Sequence, residues 1–188
     1  MTAAMYLPLF YVKQKFAMIT NRYEVLEPNP DGSPGALLGF AEQKKMAMKE
    51  QVTFFSDQSK TRPVFGFKAR AVLELSSGYD ITDEAGNQIG FFKKDFGASL
   101  LRSTYHLEGP GYTGTGAERS QGVALVRRLV NIPLPIHFEY ADSDGKPLMS
   151  IERQGSIKDK YTVTVPDQRV DFRVAAAVAV AMDAMMQR

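Results

Sequence analysis

Nine consecutive apolar residues near the C-terminus, Val174 to Met182, constrain the fold more than any other segment of this chain. As a helix the run has no polar face, and such a helix is buried in a protein core or in lipid. At about 1.5 Å per residue it covers roughly 14 Å, about half of a ~30 Å hydrocarbon core. We therefore predict a central helix buried in protein, about residues 170–187, with core side chains that include Val174, Ala177, Val178, Ala181 and Met182.

The rest of the chain has to enclose this helix, and its pattern is typical of β-strands. Short alternating segments such as Tyr161 to Val165 recur between turn residues, at the spacing of roughly 8–12 residues expected of all-β barrels and sandwiches. Residues 79–90 and 138–149 repeat a pattern of strand, Asp/Gly turn and strand, with a looser copy from Tyr23, which predicts recurring hairpins. Val123 to Val130 is a further predicted strand.

These elements combine in a closed antiparallel β-barrel of about 12 strands around the C-terminal helix. Closure removes exposed strand edges, and the helix fills a lumen that strand side chains alone would leave open. We see no linker, charge block or low-complexity tract, so residues 1–188 are predicted to form one domain. The N-terminal apolar run, Ala3 to Val12, follows no Lys or Arg and is predicted to be mature sequence rather than a signal peptide.

Composition excludes several kinds of chemistry. The 188 residues contain no cysteine, which rules out a disulfide scaffold, a thiolate nucleophile and Cys-based metal sites. Lys and Arg number 23 against 21 Asp and Glu, for a net charge of +2. With no basic excess and no recognisable binding motif, we predict no nucleic-acid partner.

Two motifs that suggest ligand sites are better explained as turns. An EF-hand loop with Gly145 at its sixth position would need carboxylates at its first and last positions, which are Tyr140 and Ile151. The Gly-rich stretch from Gly109 to Gly116 has neither the Lys-Ser/Thr of a phosphate loop nor a helical pattern after it. We predict turns at both places.

Catalytic or metal-binding candidates are few. His106 shares a predicted strand face with Glu108, as His137 does with Glu139. A metal-dependent hydrolase that uses one of these histidines is therefore a functional hypothesis, ranked third behind the two binding hypotheses given below. Structural histidines are the favoured interpretation. The chain has no Gly-x-Ser-x-Gly elbow, and we predict no enzyme activity, no metal and no cofactor.

Basic residues are the remaining candidates, as a surface for lipid headgroups, with solubilising charge on a barrel wall as the alternative. Each surface cation near an anionic leaflet contributes about 1 kcal/mol of attraction. The candidates are Lys44, Lys45, Lys49, Lys60, Arg62, Lys68, Arg70, Lys93, Lys94 and Arg102, with Arg127 and Arg128 further along the chain.

The order of these parts resembles the LURP-one-related proteins, which share the tubby C-terminal fold with the phospholipid scramblases. Residues 11–16 and 21–25 are similar to the first two strands of the family, and residues 83–90, with Phe96-Gly97 and Leu101-Arg102, resemble its central repeat. Residues 173–186 resemble its C-terminal helix, and the resemblance extends from about Phe10 to the end. It implies a 12-stranded barrel around a central helix.

About function the resemblance implies less. Tubby proteins bind phosphoinositides through basic surface residues, and scramblases are linked to calcium-stimulated lipid movement, but this chain lacks their Cys-rich palmitoylation tract. The leading hypothesis is a cytoplasmic, non-catalytic binding module, peripheral to the membrane, with anionic phospholipid headgroups or another protein as its partner and no transmembrane span. The competing hypothesis is a carrier or sensor of a small apolar ligand held beside the helix. The sequence leaves the oligomeric state open.

Overall fold

The fold is mainly β, as predicted. A computed structural model describes residues 5–16, 20–44, 51–71, 78–95, 104–118, 136–153 and 160–186. They contain one helix, α1 (Phe172–Met186), which begins and ends close to the predicted bounds, and twelve strands. The predicted strand Val123 to Val130 lies outside the described residues. The strands are β1 (Leu9–Phe16), β2 (Thr20–Pro28), β3 (Pro34–Lys44), β4 (Gln51–Phe55), β5 (Pro63–Ala69), β6 (Tyr79–Asp83), β7 (Gln88–Asp95), β8 (Thr104–Gly109), β9 (Tyr112–Glu118), β10 (Ile136–Ala141), β11 (Pro147–Arg153) and β12 (Lys160–Thr164).

The twelve strands form a closed antiparallel barrel in which each strand pairs with its neighbours along the chain. The barrel closes where β1 pairs with β12, in a register that sets Phe10 opposite Val163 and Val12 opposite Tyr161. These four side chains are buried on the lumen side, and alternation therefore directs the residues between them to the outer wall. The predicted barrel is confirmed.

Asp side chains build the turns at one end of the barrel. Asp142 Oδ1 accepts hydrogen bonds from the backbone N–H groups of Asp144 (3.1 Å) and Lys146 (2.9 Å). Gly145 lies in the same turn with a φ of 78°, a backbone conformation that residues other than glycine rarely adopt. Asp83 makes equivalent bonds in the β6–β7 turn, so the predicted hairpin repeat is confirmed. We call this end the turn end, and it comprises residues 29–33, 56–62, 84–87, 110–111, 142–146 and 165–171.

The Gly-rich stretch from Gly109 to Gly116 is also a turn followed by a strand. Pro110 and Gly111 connect β8 to β9, and the φ of 79° at Gly111 suits the third position of a type II turn. Gly116 lies in β9 under the ring of Tyr140, where an added Cβ would be 2.3 Å from the ring carbon Cε1. The predicted turn is confirmed, and Gly116 additionally serves the packing of the wall.

Helix α1 enters the lumen at the turn end and is enclosed by the wall. Every residue from Val174 to Met182 is at most 2% exposed. The Phe172 ring meets Phe10 of β1 edge to face, with ring centroids 6.1 Å apart. Val174 packs against Gly90 of β7, which lies across the barrel from β1. Among the described helices none has the length and apolar character needed to cross a bilayer.

An ion pair holds the N-terminal end of α1. Asp171 caps the helix, because its Oδ1 accepts the backbone N–H of Arg173 (2.9 Å). The Arg173 guanidinium returns to the same carboxylate through Nε (3.0 Å) and Nη2 (2.8 Å). The backbone N–H of Met5 also donates to Asp171 (3.0 Å), and Arg173 Nη1 reaches Glu84 (3.3 Å). The helix start is thus joined to the N-terminal segment and to the β6–β7 turn.

A buried carboxylate holds the other end of α1. Asp183 is 1% exposed and accepts hydrogen bonds from the hydroxyls of Tyr23 (2.5 Å) and Tyr161. Gln14 Nε2 donates to the Tyr23 hydroxyl (3.0 Å), and Arg153 Nη1 donates to the Tyr161 hydroxyl (3.3 Å). Burial and the Asp183 charge raise the pKa of Tyr161, so its hydroxyl remains a proton donor. Two strands therefore donate directly to this helix residue, and two more donate to the tyrosine hydroxyls that bond it.

Charge introduced at the centre of α1 should prevent folding. Val178 has no exposed surface, and an unpaired carboxylate in its place costs several kcal/mol, comparable with the 5–15 kcal/mol that stabilises a typical domain. We expect Val178→Asp to be insoluble or unfolded by circular dichroism. Val178→Ala should fold, with a loss of about 1–3 kcal/mol for the vacated volume. A soluble Asp variant that melts at the wild-type temperature would contradict the enclosed position of α1.

Loss of one donor to Asp183 should destabilise the barrel measurably. Tyr161→Phe removes a hydrogen bond to a buried charge, which is worth about 1.5–3 kcal/mol of unfolding free energy in a denaturant titration. Tyr11→Phe is the matched control, because the Tyr11 hydroxyl donates to the neutral carbonyl of Gly32 (2.6 Å), a bond worth about 1 kcal/mol. Equal losses in the two variants would show that Asp183 contributes nothing special to stability.

Candidate functional site

The structure divides the ten predicted headgroup residues among several locations. Lys60 and Arg62 lie in the 56–62 turn, Lys68 lies on β5, and Arg70 follows β5 directly. Lys93 and Lys94 lie on β7, with Lys94 opposite the buried Tyr105 and its Nζ 5.9 Å from that ring's centroid. The backbone of Lys44 pairs with Thr20 in the register of β2 and β3. The side chain of Lys44, together with Lys45, Lys49 and Arg102, lies outside the described residues.

Two of these cations are neutralised by carboxylates. Arg70 donates to Asp80 through Nε (3.0 Å) and Nη2 (2.7 Å), and its guanidinium also stacks 3.9 Å above the Phe91 ring centroid. Lys60 Nζ pairs with Glu42 at 3.1 Å. A forked pair such as Arg70 with Asp80 has little spare capacity for a ligand, since the carboxylate occupies the guanidinium edge. These two residues are therefore weak candidates for binding a headgroup.

Lys68 and Lys93 are better placed to meet a ligand. Lys68 is exposed on β5 and lies opposite Asp80 and Gln51 in the strand registers. Lys93 lies opposite His106. Within the described ranges neither ammonium forms an ion pair. They stand two strands apart, with an acidic residue between them, and so form no concentrated patch.

The turn end of the barrel is acidic. Its six described segments contain seven carboxylates, Asp31, Asp57, Glu84, Asp142, Asp144, Asp167 and Asp171, against four cations, Lys60, Arg62, Lys146 and Arg169. An anionic partner is therefore repelled from this end. Because the whole chain carries a net charge of +2, the compensating cations lie elsewhere.

A concentration of those cations lies on the outer wall of three adjacent strands. It consists of four cations and one carboxylate, Glu24 of β2; the cations are Lys13 and Lys15 of β1, Arg22 of β2 and Lys160 of β12. Lys13 stands opposite both Lys160 and Glu24, and Lys15 stands opposite Arg22. We call these five residues the basic face. It lies toward the end of β1 that is remote from the turn end.

Sequence reasoning missed the basic face because it grouped cations that are close along the chain. Lys160 meets Lys13 only through barrel closure, which pairs the first strand with the last. Part of the signal is visible in the sequence, because Lys13 and Lys15 alternate and so share a strand face.

Two salt bridges reduce the positive charge of the basic face. Lys15 Nζ pairs with Glu24 (2.6 Å), and Arg22 pairs with Glu42.

The two histidines lie on the outer wall with single carboxylate neighbours. His106 Nε2 is 3.6 Å from Asp95 on the adjacent strand, rather than next to the predicted Glu108, and His137 Nε2 is 3.3 Å from Glu139. A metal site needs three or more such ligands in one place. In the part of the chain that the structure describes, no group of three His, Asp or Glu side chains could hold a metal ion.

A second Asp-x-Arg pair, four residues before the helix cap, borders a surface cleft. Arg169 donates to Asp167 through Nε (3.0 Å) and Nη2 (2.7 Å), and Arg169 Nη1 donates to the carbonyl of Gly111 (2.9 Å). Lys146 adds a second ion pair to Asp167 at 3.0 Å. The cleft beside Arg169 has a volume of about 470 Å³ and is also lined by Asp142. The Arg169 guanidinium already donates to protein acceptors, so we assign the Asp167–Arg169 pair a structural role in the turn end.

Comparison with known proteins gives one strong match. A sequence profile of the family described as LURP-one-related matches residues 39–183. No curated protein is similar enough to match this sequence. A porin-like protein from Bacteroides uniformis ATCC 8492 aligns with 86% of this chain and 98% of its own, at 7% identity and a TM-score of 0.25. A likeness at that score carries no argument about this fold.

Asp167 should make stability depend on acid pH. The Arg169 hydrogen bonds, followed by Lys146, hold the pKa of Asp167 below its usual value of 3.8. A lowered pKa contributes stability that is complete above the unfolded-state pKa and is lost as the pH falls through the folded-state pKa. We expect Asp167→Asn to lower the free energy of unfolding by about 2 kcal/mol at neutral pH, with the difference shrinking below roughly pH 4.

The matched control for this measurement is Asp144→Asn. The Asp144 carboxylate bonds no partner among the described residues, so its loss should change stability by less than about 0.5 kcal/mol at every pH. Denaturant titrations across the acid range provide both curves. A wild-type advantage over Asp167→Asn that widens on acidification would contradict the assigned direction of the Asp167 pKa.

Proposed function

Since the chain belongs to the LURP-one-related family, we propose that it is a non-catalytic binding module that attaches to anionic phospholipid headgroups at the cytoplasmic surface of a membrane. The family match confirms the resemblance found in the sequence. The observation that carries the proposal is the separation of charge between the acidic turn end and the basic face.

Charge separated in this way gives the barrel a preferred orientation on an anionic bilayer. Each cation near such a surface contributes about 1 kcal/mol, and the attraction falls off within a Debye length of about 8–10 Å. Cations on one wall act together within that distance, whereas the carboxylates of the turn end are repelled. Of the original set, Arg70 is paired with Asp80 and Lys94 lies opposite the buried Tyr105. Lys68 and Lys93 are on β5 and β7, away from the basic face on β1, β2 and β12, so they lie outside the proposed attachment surface.

The competing hypothesis, a carrier of an apolar ligand beside α1, has less support. Protein side chains occupy the space between helix and wall at the described contacts, as where Val174 meets Gly90 and where Phe172 meets Phe10. A ligand at these positions would have to displace packed core, which close-packed interiors resist. The basic face offers a surface that needs no such rearrangement.

Vesicle co-sedimentation tests the proposal. We expect the protein to sediment with vesicles that contain anionic lipid, and to remain in the supernatant with purely phosphatidylcholine vesicles. Because the attraction is electrostatic, binding should weaken steadily as salt is added. No sedimentation with anionic vesicles at low salt, from a sample that circular dichroism shows to be folded, would refute the proposed function.

A further inference from the structure

Two lysines on the basic face stand directly opposite each other. Lys13 of β1 and Lys160 of β12 are partners in the register that closes the barrel, and both project from the outer wall. Opposite residues in an antiparallel pair have Cβ atoms about 4.5–5.5 Å apart, and like charges in that position are destabilising. The arrangement is therefore mildly destabilising, and an anion between the two ammonium groups would remove that cost.

Within the described ranges, the pair also lacks the carboxylate partners that its neighbours have. Lys15 is bonded to Glu24 and Arg22 to Glu42. Among the residues that the structure describes, Lys13 forms no ion pair, even though Glu24 stands beside it in the register, because that carboxylate is bonded to Lys15. The Lys160 ammonium lies 4.6 Å from the centroid of the Tyr11 ring and forms no ion pair with any carboxylate in the described part of the chain.

Tyr11 gives this pair a fixed platform. Its ring is buried in the wall, and its hydroxyl donates to the Gly32 carbonyl at 2.6 Å. The cation–π contact therefore holds one ammonium in place while leaving its hydrogen-bond donors free. Lys13, one alternation step along β1, projects beside it.

We propose that Lys13 and Lys160 form the headgroup site of the basic face, and that the group they bind is a phosphate monoester of a membrane lipid. This proposal rests on the proposed function and names its lipid class. A phosphate monoester carries a charge of about −1.5 to −2 at pH 7, which matches two unneutralised ammonium groups. A phosphodiester or carboxylate headgroup carries one formal charge on that group and would leave half of the repulsion in place.

Paired variants test the location. Lys13→Gln/Lys160→Gln should bind phosphatidic acid vesicles roughly 25-fold more weakly than wild type, from about 1 kcal/mol per cation. Lys68→Gln/Lys93→Gln removes the same charge from another part of the wall and should bind within about threefold of wild type. Equal weakening in both variants, or weakening in the second alone, would overturn the Lys13–Lys160 site while leaving the proposed function standing.

Headgroup chemistry provides the second arm. At matched charge density, wild type should prefer vesicles with phosphatidic acid over vesicles with phosphatidylserine, and the preference should disappear in Lys13→Gln/Lys160→Gln. Equal binding of the two lipids by wild type would overturn the phosphate monoester assignment, though not membrane attachment. Failure of wild type to bind any anionic vesicle would refute the proposed function itself.

A third arm separates a lipid from a soluble phosphate and needs no membrane. Removing the repulsion should leave Lys13→Gln/Lys160→Gln folded, with a melting temperature equal to or above that of wild type in phosphate-free buffer. Inorganic phosphate should raise the wild-type melting temperature only at millimolar concentrations, because a free anion lacks the additional attraction of a charged bilayer. Micromolar binding of inorganic phosphate without vesicle binding would overturn the assignment to a membrane lipid.

Discussion

The removal of α1 from water is the constraint on which the rest of this structure depends. A helix built from Ala and Val around its whole circumference, with no exposed residue from Val174 to Met182, needs apolar neighbours on every side. An open sheet covers one side of a helix, whereas a closed barrel covers all of them. The small side chains also keep the helix narrow, and the wall has a glycine, Gly90 of β7, where Val174 packs against it.

An apolar contact surface of this kind is nonspecific, so polar contacts at the two ends fix the position of the helix. Apolar burial has no direction and would tolerate sliding or rotation of α1. The hydrogen bonds of Asp171 at the turn end and of Asp183 at the other end do not, because sliding or rotation would take each buried carboxylate away from its donors. Tyr23 and Tyr161 donate to Asp183, and their hydroxyls in turn accept bonds from Gln14 and Arg153.

Features that depend on local sequence could be predicted, and features that depend on barrel closure could not. The helix follows from nine adjacent residues, and the turns follow from Asp and Gly at fixed spacing, as around Asp142 and Gly145. Asp183 looks from the sequence like the end of an apolar run, and its acceptance of a bond from Tyr23, 160 residues away, appears only in three dimensions. The candidate site follows the same rule. Cations adjacent in sequence were separated by strand alternation, as Lys93 was from Lys94.

Closure explains how a nearly neutral chain carries a concentrated charge. Joining the first strand to the last sets Lys13 against Lys160, a pair that no local pattern contains. The outer wall of a barrel accepts many polar side chains, so the fold does not require a lysine at either position. Nearby carboxylates could neutralise a like-charge pair, but here Glu24 is bonded to Lys15. Glu42 is shared by Lys60 and Arg22, whose hydrogen bonds hold the pKa of Glu42 below its usual value. The repulsion that remains is specific to one place on the wall, and an external anion is what would relieve it.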